Sequence, residues 1–149
     1  MTDSILSEKL LKGTSLTKVV IGAALEVHKL KGPGLLESIY EKCLLRELEL
    51  RGLKCRQQIH VPVEYKGHLF EEQLRVDLLV EDCIIVELKV IENLLPAHTA
   101  QLLSYMKLLQ TPLGLLINFH EPLLKTGIRR VTLKEAFSTP TSFNSVTSM

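Results

Sequence analysis

The sequence predicts an α/β fold: a mixed sheet of about four to five strands flanked by helices. Three observations lead there. Apolar residues recur at helical spacing from Leu16 to about residue 51. From Cys55 the period changes to two, with Ile59, Val61 and Val63 alternating as a half-buried strand does. Helical spacing then returns once, between two further apolar strands. The 149 residues fall in the usual range for one domain. A hydrophobic share of 46% against 23% charged is the balance of a chain that buries a core, which excludes a disordered or fibrous protein.

Taken in order, residues 1–14 are mixed in character and are expected to be loosely held. Leu16, Val19, Val20, Ala23, Val27 and Leu30 mark the inner stripe of a first helix, with Ser15 as its N-cap. Gly32-Pro33-Gly34 ends it. A second helix should run over residues 35–51, with Gly52 just beyond its last turn. Residues 55–65 are rich in β formers, Lys66-Gly67 reads as a hairpin turn, and residues 68–73 as a short polar outer strand. Two strands follow at 75–80 and 83–90, around Glu81-Asp82. Pro96 suits the first turn of a helix reaching Leu109. Residues 113–119 are nearly all apolar and read as a buried strand, and 128–133 as a short strand or turn. Residues 138–149 hold seven Ser or Thr and no charge, the composition of a disordered tail, which leaves 15–137 as the folded domain.

Lys and Arg number 18 and Asp and Glu 17, so the net charge is +1. A protein that grips nucleic acid by charge alone is strongly basic, so a role there needs a local patch or a metal. Lys125 with Arg129 and Arg130, and Lys12 with Lys29 and Lys31, form two small basic groups; either is placed to meet phosphates, and surface solvation is the commoner explanation. Three cysteines without CxxC spacing give neither a disulfide framework nor a zinc knuckle. No apolar run approaches the roughly 20 residues of a membrane span, and the first residues carry no signal-peptide pattern. A cytoplasmic protein is expected.

The chemistry should lie in residues 75–90. In the second strand Ile84, Val86, Leu88 and Val90 share one apolar face, and Ile85, Glu87 and Lys89 the other. In the first, Val76, Leu78 and Val80 form the apolar set and Asp77 faces the opposite way. Asp77 stands across from Glu87 only if the hairpin loop holds an odd number of residues, as Glu81-Asp82-Cys83 would; a two-residue loop puts Asp77 opposite Val86. Two adjacent carboxylates suit a hard cation such as Mg²⁺. Such a cation serves phosphodiester hydrolysis, with a neighbouring lysine acting on the water or on the developing charge. The bland alternative is a solvated, self-paired Glu-x-Lys face.

Asp77, then Glu87-Leu88-Lys89 on the next strand, resembles the PD-(D/E)XK nuclease superfamily. Within it the chain is similar to the small bacterial proteins of the GxxExxY family: Gly34, Glu37 and Tyr40 match the naming motif. Residues 21–28, 86–89, 100–105 and 115–119 are also similar to that family, and the likeness extends over about residues 16–132. The superfamily's proline before the aspartate is replaced by Val76. The resemblance implies a restriction-endonuclease-like sheet. It also implies Asp77, Glu87 and the Leu88 backbone carbonyl as ligands of Mg²⁺ or Mn²⁺, and Lys89 as the catalytic lysine. Glu37 becomes the helical acidic residue near the metal, and Gln101 the glutamine that positions the lysine, the water or the nucleic-acid backbone. The implied activity is a Mg²⁺-dependent nuclease, on DNA more than RNA; the alternative is a non-catalytic binder of nucleic acid or protein. So short a chain is expected to draw on a homodimer or a protein partner for substrate grip. Without the resemblance, Glu37 is a carboxylate favoured by a helix dipole. Tyr40 either buttresses Glu37 or fills the core. His98, Gln101 and Tyr105 share a helix face that looks into the site or is a solvated stripe, while Leu102, Met106 and Leu109 mark the buried face. His98 also suits a helix cap.

Overall fold

The computed structural model describes residues 3–72 and 74–133. Its elements are α1 (Asp3–Lys31), α2 (Glu37–Leu50), β1 (Cys55–His60), β2 (Val63–Tyr65), β3 (His68–Phe70), β4 (Arg75–Val80), β5 (Ile84–Lys89), α3 (Pro96–Leu108), β6 (Leu113–Asn118) and β7 (Ile128–Thr132), with a 3₁₀ turn at Leu124–Gly127. Five strands form one sheet in the order β1-β4-β5-β6-β7. Among the described residues only β5 and β6 run parallel, and α3 is the crossover between them. This is the mixed α/β sheet the sequence predicts. Helices α1 and α2 cover one face, where Val20, Ala23, Val27, Tyr40, Leu44 and Leu48 pack on Leu78, Val80, Ile84, Val86 and Leu88. On the other face Leu102, Leu103, Tyr105 and Met106 of α3 pack on Leu79, Ile85 and Leu116. Among the described residues no helix is long and apolar enough to cross a membrane.

The N-terminus differs from expectation. Residues from Asp3 onward belong to α1, a helix of 29 residues, and are not a loose lead-in. Ser15 lies inside that helix and caps nothing. The Thr14, Ser15 and Thr17 hydroxyls each donate to a carbonyl one turn back, Leu10 at 2.7 Å, Lys12 at 2.8 Å and Gly13 at 2.7 Å, so residues that read as a start signal are satisfied within the helix. Leu6 is only 8% exposed and joins the cluster beneath α3, which holds the extra turns in place. A Cβ on Gly13 would come within 2.7 Å of Leu113, so the glycine lets α1 cross the sheet closely. Residues 138–149 lie outside the described part.

Helix α2 ends as expected. Gly52 takes φ 83°, its N–H donates to Glu49 O at 3.0 Å, and Leu53 N–H reaches Leu48 O at 3.0 Å, the paired bonds of a Schellman stop. The expected strand over 55–65 is divided. Pro62, which has no N–H for a ladder, separates β1 from β2, and β2 pairs with β3 in its own small sheet across the Lys66-Gly67 turn.

Candidate active site

The β4–β5 hairpin closes through the three residues Glu81, Asp82 and Cys83, since Val80 pairs with Ile84, Leu79 with Ile85 and Leu78 with Val86. The next position along each strand is Asp77 and Glu87, so the two stand opposite each other. The regular ladder stops at Leu78 and Val86. Beyond it the side chains take the place of backbone bonds. The Asp77 N–H donates to Glu87 Oε1 at 2.7 Å, and the Leu88 N–H donates to Asp77 Oδ2 at 2.9 Å. The N–H and C=O of one strand residue leave on the same edge, so the Leu88 carbonyl is directed into the same gap.

One expectation about this strand is corrected. Val76 does not share a face with Leu78 and Val80. It packs in the cluster beneath α3, whereas Leu78 and Val80 pack against α1 and α2. The alternation breaks at Asp77, where the opposing Gln58 has φ 50° and the pairing of β1 with β4 skips from Gln57–Leu78 to Ile59–Val76. There each carboxylate reaches a backbone N–H of the facing strand.

Burial shapes the electrostatics. Glu87 is 7% exposed, and burial first, then the charge of Asp77, pushes its carboxyl up to about 8 from 4.5. The Asp77 N–H and the Lys89 ammonium oppose that rise. Burial also raises Asp77, against the lowering effect of the Leu88 N–H. Glu37 is raised by burial and then by Asp77, with Lys89 pulling the other way. Burial raises the Tyr105 hydroxyl, and the charge of Glu87 adds to it. The charges of Asp77, Glu87, Lys89 and Glu37 are therefore close enough to influence one another. The end of β5 that carries Lys89 is clamped: Phe119 N–H donates to Lys89 O at 2.9 Å, and the buried Asn118 side chain holds Ile91 through its C=O at 2.8 Å and its N–H at 3.1 Å.

Tyr40 belongs to the core. It is fully buried, its ring stacks on Phe119 at 4.5 Å, and its hydroxyl donates to Gly32 O at 2.5 Å while accepting the Leu35 N–H at 3.1 Å. It thereby ties down the turn before α2 and fixes where the helix starts, which sets Glu37 in the first turn. His98 is the helix cap: its Nδ1 accepts the Leu95 N–H at 2.9 Å. Tyr105 is 8% exposed and sits in the core beneath α3, within electrostatic reach of Glu87. Gln101, one turn before it, is exposed and makes no hydrogen bond among the described residues, so the structure does not join it to the carboxylates.

Two residues absent from the sequence reading complete the cluster. Glu41 is 9% exposed and accepts from Gln57 Nε2 at 3.1 Å and from Gln58 Nε2 at 3.1 Å on both oxygens. Its position four residues after Glu37 puts the two on one helix face, a signal the sequence does carry. Gln58 has no such signal, because its place depends on the β1–β4 register.

Among the described residues no group of three or more His, Cys, Asp or Glu side chains takes metal-ligating geometry. The gap offers two carboxylates and a backbone carbonyl, an all-oxygen set suited to Mg²⁺ or Mn²⁺. Glu87 Oε1 takes the Asp77 N–H, and among the described residues Oε2 has no hydrogen-bond partner. A buried carboxylate oxygen left without a partner fits a cation there. A family model described as the PD-(D/E)XK nuclease superfamily matches residues 14–131. No curated protein and no solved structure gives a match.

Proposed function

The chain belongs to the PD-(D/E)XK nuclease superfamily, and from that membership we propose that it is a Mg²⁺- or Mn²⁺-dependent nuclease of the GxxExxY type, acting on DNA in preference to RNA in the bacterial cytoplasm. The observation that carries this reading is the interlock of Asp77 and Glu87 across the end of the ladder, with Lys89 and Glu37 acting on both. Asp77, Glu87 and the Leu88 carbonyl would hold the cation. When bound, Mg²⁺ or Mn²⁺ polarises a phosphoryl oxygen and eases ionisation of the attacking water. Lys89, two residues after Glu87, orients that water and offsets the charge that develops on the phosphoryl oxygens. Glu37 adds a further negative charge near Asp77, Glu87 and Lys89. Gln101, exposed on α3, is free to meet the nucleic-acid backbone. A second copy or a protein partner supplies the grip that a net charge of +1 does not.

That near-neutral charge favours a second reading, a nuclease fold that binds nucleic acid or a protein without cutting. A cleavage assay on single- and double-stranded DNA and RNA separates the two. In Mg²⁺ or Mn²⁺ the wild type should cut at least one substrate, excess EDTA should stop it, and Glu87→Ala should lower the rate by about a hundredfold or more. Failure of the wild type on all substrates in both metals supports the non-catalytic reading.

A further inference from the structure

Resting on the metal-site reading above, we propose that Gln58, held by Glu41, is a positioning residue that fixes the Asp77 carboxylate for the cation. Gln58 Nε2 carries two hydrogens. It lies 3.1 Å from both oxygens of Glu41 and 3.4 Å from Asp77 Oδ1, so the amide stands between the two carboxylates with a donor for each. Asp77 Oδ2 is already committed to the Leu88 N–H at 2.9 Å. One bond on each oxygen sets the plane of the carboxylate, and each oxygen keeps a lone pair for a ligand. Without Gln58, Asp77 could pivot about its Oδ2 bond, and its charge would face Glu41 with no donor between them.

The backbone agrees with that role. Gln58 adopts φ 50°, uncommon for a residue with a side chain, at the one place where the β1–β4 pairing lapses and directly across from Asp77. Strain of this kind persists where the surroundings hold it. Here the buried Glu41 supplies the hold, accepting from Gln58 on both oxygens and from Gln57 on Oε2. Gln57 provides an internal contrast. It bonds the same carboxylate at 3.1 Å and makes no bond to Asp77.

The test is calorimetric titration of Mn²⁺ into the metal-free full chain, for wild type, Gln58→Met and Gln57→Met. Methionine keeps the length of glutamine and removes the donors. Hydrogen bonds that orient a metal ligand are worth about 10–100-fold in metal affinity, so Gln58→Met should weaken Mn²⁺ binding by at least about tenfold. Gln57→Met should change it by less than about threefold, and both variants should melt within a few degrees of wild type in EDTA. Equal affinity for Gln58→Met and wild type overturns the positioning role and leaves the metal site standing. Equal losses in the two variants also overturn it, since the network would then act only by holding Glu41. If the wild type binds no Mn²⁺, the metal-site reading itself fails and takes this inference with it.

Discussion

Glu87→Gln should make the metal-free protein more stable at pH 8 while abolishing its response to divalent cations. The Glu87 carboxyl is pushed up to about 8 in the folded chain, against an ordinary 4.5. The folded state therefore prefers the protonated form. Its contribution to stability is fully present below about pH 4.5 and is lost as pH rises through about 8. A shift of that size is worth on the order of a few kcal/mol. Glutamine keeps an acceptor for the Asp77 N–H and carries no charge, so the variant should show little of that loss. Melting curves in EDTA between pH 5 and 8 should fall for wild type and stay flatter for Glu87→Gln. In Mg²⁺ or Mn²⁺ at pH 8 the order should change. The wild type gains stability by mass action because the cation binds the folded state. Neither Glu87→Gln nor Asp77→Ala should gain. A Glu87→Gln protein that melts below wild type at pH 8 in EDTA would mean that the carboxylate stabilises the fold by itself, and the cation would then have no vacancy of charge to fill.

Lys89→Ala should separate turnover from metal binding. The Lys89 ammonium lowers the Asp77, Glu87 and Glu37 carboxyls and would repel a nearby cation. Removing it should leave the metal-induced rise in melting temperature intact or enlarge it. Cleavage should nonetheless fall by at least about tenfold, the range for losing one acid–base or electrostatic group. Glu87→Ala should lose both properties. Unchanged cleavage in Lys89→Ala would reduce the lysine to a charge partner of the carboxylates.

The sheet was legible because its strands are alternating or continuously apolar runs bounded by turn residues, and the odd loop needed to bring Asp77 opposite Glu87 could be stated from spacing alone. What could not be read was how the strands part. Gln58 and Asp77 sit inside ordinary β-forming segments, and neither the φ of 50° nor the shift of Val76 to the α3 side has a mark in composition. Gln58 reaches Asp77 only through a pairing between segments about 20 residues apart, which local patterning does not encode. Pro62 and Glu41 are different: the strand break and the i,i+4 pair with Glu37 were present as signals and were outweighed by the alternation of Ile59, Val61 and Val63 and by the motif residues. The start of α1 was hidden because Thr14, Ser15 and Thr17 are cap-forming types whose hydroxyls here bond inside the helix.

Anomalous diffraction from crystals grown in Mn²⁺ tests the central claim most directly, because it locates the cation without reference to activity. One strong peak should lie in the gap at the end of the β4–β5 ladder, bounded by the carboxylates of Asp77 and Glu87 and the carbonyl of Leu88. Saturating Mn²⁺ with no peak in that gap, or with the Lys89 ammonium filling it, would contradict the metal centre on which the proposed nuclease rests.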